Sequence, residues 1–93
     1  MDIGKTNYRN VERMVKGFAN HRRLHILDLL SHEPELSVDD IAERLNAGYM
    51  NISDHIRKLA IAGLLMKRSD GRSVRHKLTA RGKYVLSFCK KLE

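Results

Sequence analysis

A run of polar side chains between residues 50 and 58 could bind the edges of DNA bases. On a helix over 49–62, Ile52, Ile56 and Leu59 recur at the i, i+4, i+7 spacing that defines one buried face. The opposite face and its margins carry the candidate base- and phosphate-binding residues Met50, Asn51, Ser53, Asp54, Arg57 and Lys58. An amide can bind adenine, a guanidinium can bind guanine or phosphate, and a thioether can pack against the thymine methyl group. The alternative is a solvated helix face that has no partner.

Asp54 fits such a surface least, because a carboxylate repels phosphates. It could accept a hydrogen bond from cytosine N4, or it could pair with Arg57 or Lys58 in the same helix. The spacing favours the intrahelical pair. Tyr49 is expected nearer the buried side, where it would support the start of the helix rather than contact a base.

A basic β-hairpin is the second candidate surface. Strands over 64–68 and 73–78 flank the Asp70-Gly71 dipeptide, which is typical of tight hairpin turns. The basic residues of this hairpin are Arg68, Arg72, Arg75 and Lys77. Arg72 lies at the predicted tip, and the negative potential of a narrow minor groove attracts arginine. These residues are therefore predicted to contact DNA together with the helix.

Apolar periodicity and capping residues predict the elements that must position these two surfaces. Asn20, Ser37 and Thr79 are good N-caps, and Gly63 is suited to the end of a helix. The predicted helices cover 9–19, 21–31, 37–46, 49–62 and 79–92. Together with the hairpin they predict a mainly α fold with a small β-hairpin, the winged helix-turn-helix, as a single domain over 1–93.

Composition limits the function classes further. The net charge of +7 resides entirely in residues 67–93, where nine Lys or Arg face two acids, so this end attracts polyanions. No apolar run approaches the roughly 18 residues of a membrane span, and a single cysteine, Cys89, indicates a reducing, cytoplasmic compartment. No nucleophile elbow and no phosphate-cradling glycine loop is present, so an enzyme is not expected.

The same sequence resembles the arsenical-repressor-like (ArsR-type) winged-helix transcription factors. The resemblance rests on residues at 18–30, 35–42, 52–64 and 71–79, including Arg23-Leu24, Ser37-Val38, Ser53, His55 and Gly71-Arg72. It implies a homodimeric, cytoplasmic, prokaryotic-type regulator that binds double-stranded DNA. Where metal-sensing members begin the third helix with cysteines, this chain has Ser37 and Asp39. No His lies between Thr79 and Glu93, where the other known site would need one. We therefore expect no metal and no cofactor.

The first and last predicted helices each leave an apolar stripe that a domain of this size cannot cover alone. Pairing the stripes across a two-fold axis would bury both. The predicted dimer-interface residues are Val11, Met14, Val15, Val85, Phe88, Cys89 and Leu92.

A protein-interaction module with only non-specific DNA affinity is the main alternative, because the fold does not determine the function. Binding of RNA or single strands is disfavoured, since the five Phe and Tyr residues are scattered and form no stacking platform. The operator, the signal and the sign of regulation are not predicted.

Overall fold

The computed structural model describes residues 3–93, so the first two residues of the predicted domain lie outside the described part. Within residues 3–93, five α-helices and a two-stranded antiparallel sheet follow a short 3₁₀ turn at Ile3–Lys5. The elements are α1 (Tyr8–Phe18), α2 (His21–His32), α3 (Val38–Leu45), α4 (Tyr49–Ile61), β1 (Leu65–Asp70), β2 (Ser73–Leu78) and α5 (Ala80–Lys90). The predicted winged helix-turn-helix is confirmed.

Side-chain caps explain where the helices begin. Asn20, Ser37 and Thr79 each accept a hydrogen bond from a backbone N–H three residues on. Ser37 and Thr79 therefore precede α3 and α5 instead of opening them, which corrects the predicted starts at 37 and 79. The prediction missed Asn7, which caps α1 in the same way and moves its start from residue 9 to Tyr8.

The turn between α3 and α4 depends on one left-handed residue. Asn46 has φ +50°, a conformation that asparagine tolerates better than most residues, and its N–H bonds to the carbonyl of Glu43. Gly48 then caps α4 without a side chain. This three-residue turn holds α3 and α4 as a helix-turn-helix pair.

The hairpin is longer and tighter than predicted. Strand β1 runs to Asp70, which pairs with Ser73, so the loop is only Gly71-Arg72. Gly71 has φ +64°, whereas Arg72 does not have a positive φ, which is the pattern of a type II′ turn. Arg72 is therefore at the tip. Leu64, which was predicted to open β1, instead caps the preceding helix through its N–H to Leu59.

Helix α2 lies at the centre of the core. Its Ile26, Leu27 and Leu30 are buried, as predicted for the most apolar helix. They pack in one cluster with buried residues from every other major element except α1, namely Leu36, Ile41, Ala42, Ile52, Ile56, Leu59, Leu64, Leu65, Leu78, Val85 and Leu86. Burial of this size is the main source of stability for a small domain.

The hairpin is anchored to the loop before α3, a contact that was not predicted. Leu36 forms an isolated antiparallel bridge with His76, and the N–H of Glu35 donates to the carbonyl of His76 at 2.9 Å. The buried Nδ1 of His76 lies 2.8 Å from the carbonyl of Leu36. Because a carbonyl can only accept, this nitrogen carries the proton. The base of the wing is thus held against the helical body.

Candidate nucleic-acid interface

Helix α4 has one apolar face and one polar face, as the sequence predicted. Ile52, Ile56 and Leu59 are buried against α2 and α3. On the other side Met50 is 80% exposed, and Asn51 and Arg57 are also exposed. Ser53 is half-buried at the margin, and its hydroxyl makes no hydrogen bond within residues 3–93. The arrangement leaves amide, thioether and hydroxyl groups available to a partner.

Asp54 forms the intrahelical pairs that the spacing favoured. Its Oδ1 accepts from Arg57 Nη2 at 2.7 Å, and its Oδ2 lies 3.2 Å from Lys58 Nζ. The hydrogen bond from Arg57, followed by that from Lys58, lowers the pKa of Asp54. Two of the predicted DNA-binding cations therefore share one neighbouring carboxylate, which offsets part of their charge.

Tyr49 is corrected by the structure. The prediction placed it near the buried side of α4, but its side chain is exposed at the first helical position, immediately after Gly48. Because Tyr49 is the first residue of the helix, its ring projects from the first turn, next to Met50. The exposed ring adds an apolar edge to the polar face of α4.

The basic residues of the wing divide into two groups. Arg68 donates through Nε and Nη2 to Glu35 Oε2 at 3.3 and 3.0 Å. Arg75 donates through Nε to Asp70 Oδ2 at 2.9 Å and through Nη1 to the carbonyl of Glu35 at 3.0 Å. These two arginines brace the hairpin against the loop before α3.

The side chains of Arg72 and Lys77 make no hydrogen bond or ion pair with the part of the chain that the structure describes, and both residues are exposed. Lys67 lies on β1 opposite His76. Its side chain is also exposed and has no hydrogen bond or ion pair among the described residues. The sequence prediction omitted Lys67, although its place in a basic strand was a usable signal. The cations most available on the wing are thus Lys67, Arg72 and Lys77.

The predicted interface residues on α1 and α5 lie mostly at the surface. Val11, Val15, Phe88 and Leu92 are exposed, and Met14 and Cys89 are half-buried. Val85 is the exception. It is only 5% exposed because it points into the protomer's own core, so it has almost no surface to bury against a partner. The structure also exposes Tyr84, one turn before Phe88.

A family model for the winged helix DNA-binding domain matches residues 20–82, from the cap of α2 into the first turn of α5. The chain belongs to this family. The matched segment contains the helix-turn-helix pair and the wing, which are the two candidate surfaces. The α1 segment and most of α5 lie outside it.

Two curated relatives confirm the resemblance to arsenical-repressor-like regulators. The chain is 31% identical over 77 residues to the cadmium resistance transcriptional regulatory protein CadC homolog of Staphylococcus aureus, covering 83% of this chain. It is 36% identical over 67 residues to the arsenical resistance operon repressor of Escherichia coli (strain K12), covering 72% of this chain. It spans only 64% and 57% of the lengths of these relatives.

A solved structure has the same fold over nearly the whole chain. It is the homodimeric winged helix-turn-helix DNA-binding domain from Mycobacterium bovis, a possible ArsR-family transcriptional regulator. It matches with a TM-score of 0.85 and 26% identity, covering 99% of this chain and 85% of that chain. The correspondence includes α1 and α5, which lie largely outside the family model.

Ser37, which lies at one of the family's two cysteine positions, does not fit a thiolate site. Ser37 Oγ accepts from the N–H of Asp40, and Asp40 Oδ2 accepts from the N–H of Ser37, each at 3.1 Å. These groups are committed to capping α3, and the bond from Ser37 lowers the pKa of Asp40. Within residues 3–93, no three His, Cys, Asp or Glu residues lie close enough together to hold a metal ion.

None of the helices in the described part is long and apolar enough to cross a lipid bilayer.

Proposed function

We propose that this chain is a sequence-specific, double-stranded-DNA-binding transcriptional regulator that acts as a homodimer. The proposal rests above all on one observation: α4 presents an exposed polar face beginning at Met50 and Asn51 on a helix anchored in the core. A helix of this kind has the width of the DNA major groove. The family match and the curated relatives support the same reading.

The roles proposed for α4 follow from the chemistry of its side chains. Asn51 binds adenine through its amide, and Met50 packs against a thymine methyl group. Ser53 and Lys58 bind phosphates, which set the register without reading sequence. Arg57 binds guanine or phosphate after exchanging its bond with Asp54. That carboxylate then has a cytosine N4 amine or Lys58 as its partner.

The wing supplies the second set of contacts. Arg72 lies at the tip of the two-residue loop, and its side chain has no partner in the described part of the chain; it enters or follows the minor groove. Lys77 binds backbone phosphates, and Lys67 joins it from the neighbouring strand. Arg68 and Arg75 act mainly as braces that fix the angle of the hairpin, and they reach phosphates only where they release Glu35 or Asp70.

The proposed homodimer joins α1 and α5 of two copies through Val11, Met14, Val15, Phe88, Cys89 and Leu92. Exposed apolar side chains on both helices support this assembly, as does the homodimeric state named for the similar domain from Mycobacterium bovis. Two-fold symmetry sets two recognition helices about one DNA turn, roughly 34 Å, apart. The 93 residues act as a single binding domain, without enzymatic activity, in the cytoplasm.

Selection of binding sites from random duplex DNA tests the function directly. The proposal predicts enrichment of an inverted repeat whose half-sites lie one helical turn apart. A protein-interaction module on the same fold predicts weak binding that salt abolishes and no enriched sequence. Absence of enrichment, with the purified chain folded and at micromolar concentration, contradicts the proposed function.

A further inference from the structure

A basic crevice lies between α1, the end of α4 and the first turn of α5, and Lys58 is its one residue that also belongs to the proposed DNA interface. We propose that it binds a small organic anion that carries an apolar body, such as a medium-chain carboxylate. The crevice measures about 800 Å³. We call it the α1–α4 crevice, and it is lined by Asn10, Val11, Arg13, Met14, Lys16, Gly17, Arg23, Lys58, Ile61, Ala62 and Arg81.

Its lining contains five cations and no carboxylate. Lys16 and Lys58 are partly satisfied, because they pair with Glu12 at 3.5 Å and with Asp54 at 3.2 Å. The three arginines Arg13, Arg23 and Arg81 have no carboxylate partner within residues 3–93. A site with three such guanidinium groups attracts an anion, since planar guanidinium groups match the geometry of carboxylate and phosphate.

Arg23 is already held in one orientation. Its Nη1 donates to the carbonyls of Lys16 and Gly17, and its Nε donates to Nδ1 of His55, all at 3.1 Å. Its Nη2 makes no hydrogen bond with the described part of the chain. Because three bonds fix the side chain, binding a ligand through Nη2 costs little additional side-chain entropy.

The apolar part of the lining distinguishes an amphiphile from a simple ion. Val11, Met14, Ile61 and Ala62 lie beside the arginines, and Ile61 is 74% exposed at the end of α4. Exposure of such an apolar side chain to water is unfavourable, and a bound inorganic anion would leave it exposed. The crevice is open to solvent on one side, and its volume is large enough to hold a small organic molecule.

Gly17 allows the two helices that form the walls of the crevice, α1 and α4, to lie close together. A Cβ on Gly17 would lie 2.7 Å from the Cβ of Ala62, so only glycine lets α1 and α4 approach this closely. The contact sets the distance between the arginine-bearing helix α1 and the apolar end of α4. A ligand in the crevice therefore contacts both helices at once.

This placement would couple the ligand to DNA, a consequence that rests on the proposed function. Helix α4 supplies Lys58 and Ile61 to the crevice and the base-reading residues to the proposed DNA interface. Val11 and Met14 belong to the proposed dimer interface, so a second copy would close the apolar side. By thermodynamic linkage, an anion that shifts α4 changes DNA affinity, and DNA changes the affinity for the anion to the same extent.

Isothermal titration calorimetry of the full chain with octanoate tests the site. Acetate keeps the carboxylate without the apolar body, and 1-octanol keeps the apolar body without the charge. Arg13→Gln/Arg81→Gln removes two lining cations, and Arg9→Gln removes one exposed cation of α1 that does not line the crevice. Thermal melting by circular dichroism establishes that each variant is folded.

We expect saturable binding of one octanoate per chain, and acetate and 1-octanol at least about tenfold weaker. The double variant should lose about tenfold in octanoate affinity, while Arg9→Gln stays within about twofold. Should the double variant melt too low, Arg13→Gln alone is expected to lose about threefold, since the side chain of Arg13 has no partner among the described residues.

Three results would overturn the site: no saturable heat with octanoate, equal binding of acetate or 1-octanol, or the same octanoate affinity in Arg13→Gln and Arg9→Gln. The titration contains no DNA, so its failure leaves the DNA-binding proposal standing. If the selection from random duplex DNA finds no enriched sequence, calorimetry still tests the crevice independently.

Discussion

Arg57 Nη2 lies 2.7 Å from Asp54 Oδ1 on the exposed face of α4, and the same carboxylate holds Lys58. One acid therefore neutralises much of the charge of two cations at the centre of the proposed interface. These pairs are solvent-exposed, so each contributes little to stability. Their effect falls instead on the availability of Arg57 and Lys58 to a phosphate or a base.

Replacing Asp54 with Asn should strengthen binding to DNA of any sequence. The change removes a charge that repels phosphates and releases two cations, so affinity at low salt should rise by about three- to tenfold. The logarithmic salt dependence should steepen by about one unit of slope. Fluorescence anisotropy with a labelled duplex over a salt series measures both quantities.

Glu12→Gln is the matched control for this substitution. Glu12 also pairs with a lysine four residues on along an exposed helix, but it lies on α1. The Glu12→Gln substitution should leave the salt dependence of DNA binding unchanged. Equal gains in affinity from both substitutions would mean that only net charge matters, and would contradict a specific place for Asp54 at the interface.

Arg72→Ala tests the wing. Because Arg72 is at the hairpin tip and has no partner among residues 3–93, its loss should weaken binding to all sequences. The salt slope should become shallower by about one unit. Lys83→Ala removes an equal charge from exposed α5 and should have little effect. An unchanged affinity and slope for Arg72→Ala in the same titration would rule out the assigned role.

Val15→Glu tests the homodimer. Val15 is 40% exposed on α1, and a carboxylate buried there between two copies would be desolvated without a partner. We expect the dimer to weaken by at least about tenfold in sedimentation equilibrium. Val74→Glu is the control, since Val74 is 43% exposed but lies on the wing. If both variants remain dimeric at the same concentration, α1 does not form the interface.

The elements of the fold could be predicted from sequence because their signals are local. Asn20, Ser37 and Thr79 act within one helical turn, and the Asp70-Gly71 dipeptide determines its own hairpin. The helix ends shifted by one or two residues, since a capping residue lies outside the helix it starts. Asn7 was missed because the chain before it offers no apolar periodicity to mark a boundary.

The state of the candidate site could be predicted only where its contacts are local. The pairing of Asp54 with Arg57 and Lys58 follows from helical spacing. Arg68 and Glu35, by contrast, are 33 residues apart, and their contact depends on the unusual φ of +70° at Glu35. No pattern in the sequence indicates that two of the four predicted wing cations brace the fold.

The fold disfavours the protonated form of two histidines. Burial, opposed in part by the hydrogen bond to Leu36, lowers the pKa of His76. Burial first, and then the charge of Arg23, lowers the pKa of His55. His55 Nδ1 accepts a hydrogen bond from Arg23 Nε, so it carries no proton. Protonation of His55 at Nδ1 would break its bond with Arg23, whereas protonation of His76 is opposed by the burial of its ring.

The pH dependence of stability follows from these lowered values. As pH falls through the ordinary histidine value of 6.5, the unfolded chain takes up protons before the folded chain does. The free energy of unfolding should be nearly constant above about pH 7. Below 6.5 it should fall by at most about 1.4 kcal/mol per pH unit for each histidine, until the folded pKa is reached. The pKa values of Asp40 and Asp54 are also lowered. These two groups change the free energy of unfolding only at and below about pH 3.8, the ordinary pKa of an aspartate.

Denaturant titrations from neutral to mildly acidic pH measure this dependence. His55→Asn keeps an acceptor near the position of Nδ1 but cannot titrate, and His76→Asn keeps a donor for Leu36 in the same way. Each substitution should lower stability at neutral pH, because an imidazole ring packs better than an amide in these sites. Each should also flatten the fall below pH 6.5, and the double variant should flatten it most. A double variant with the slope of the parent would show that other groups, and not these two buried rings, control the acid response.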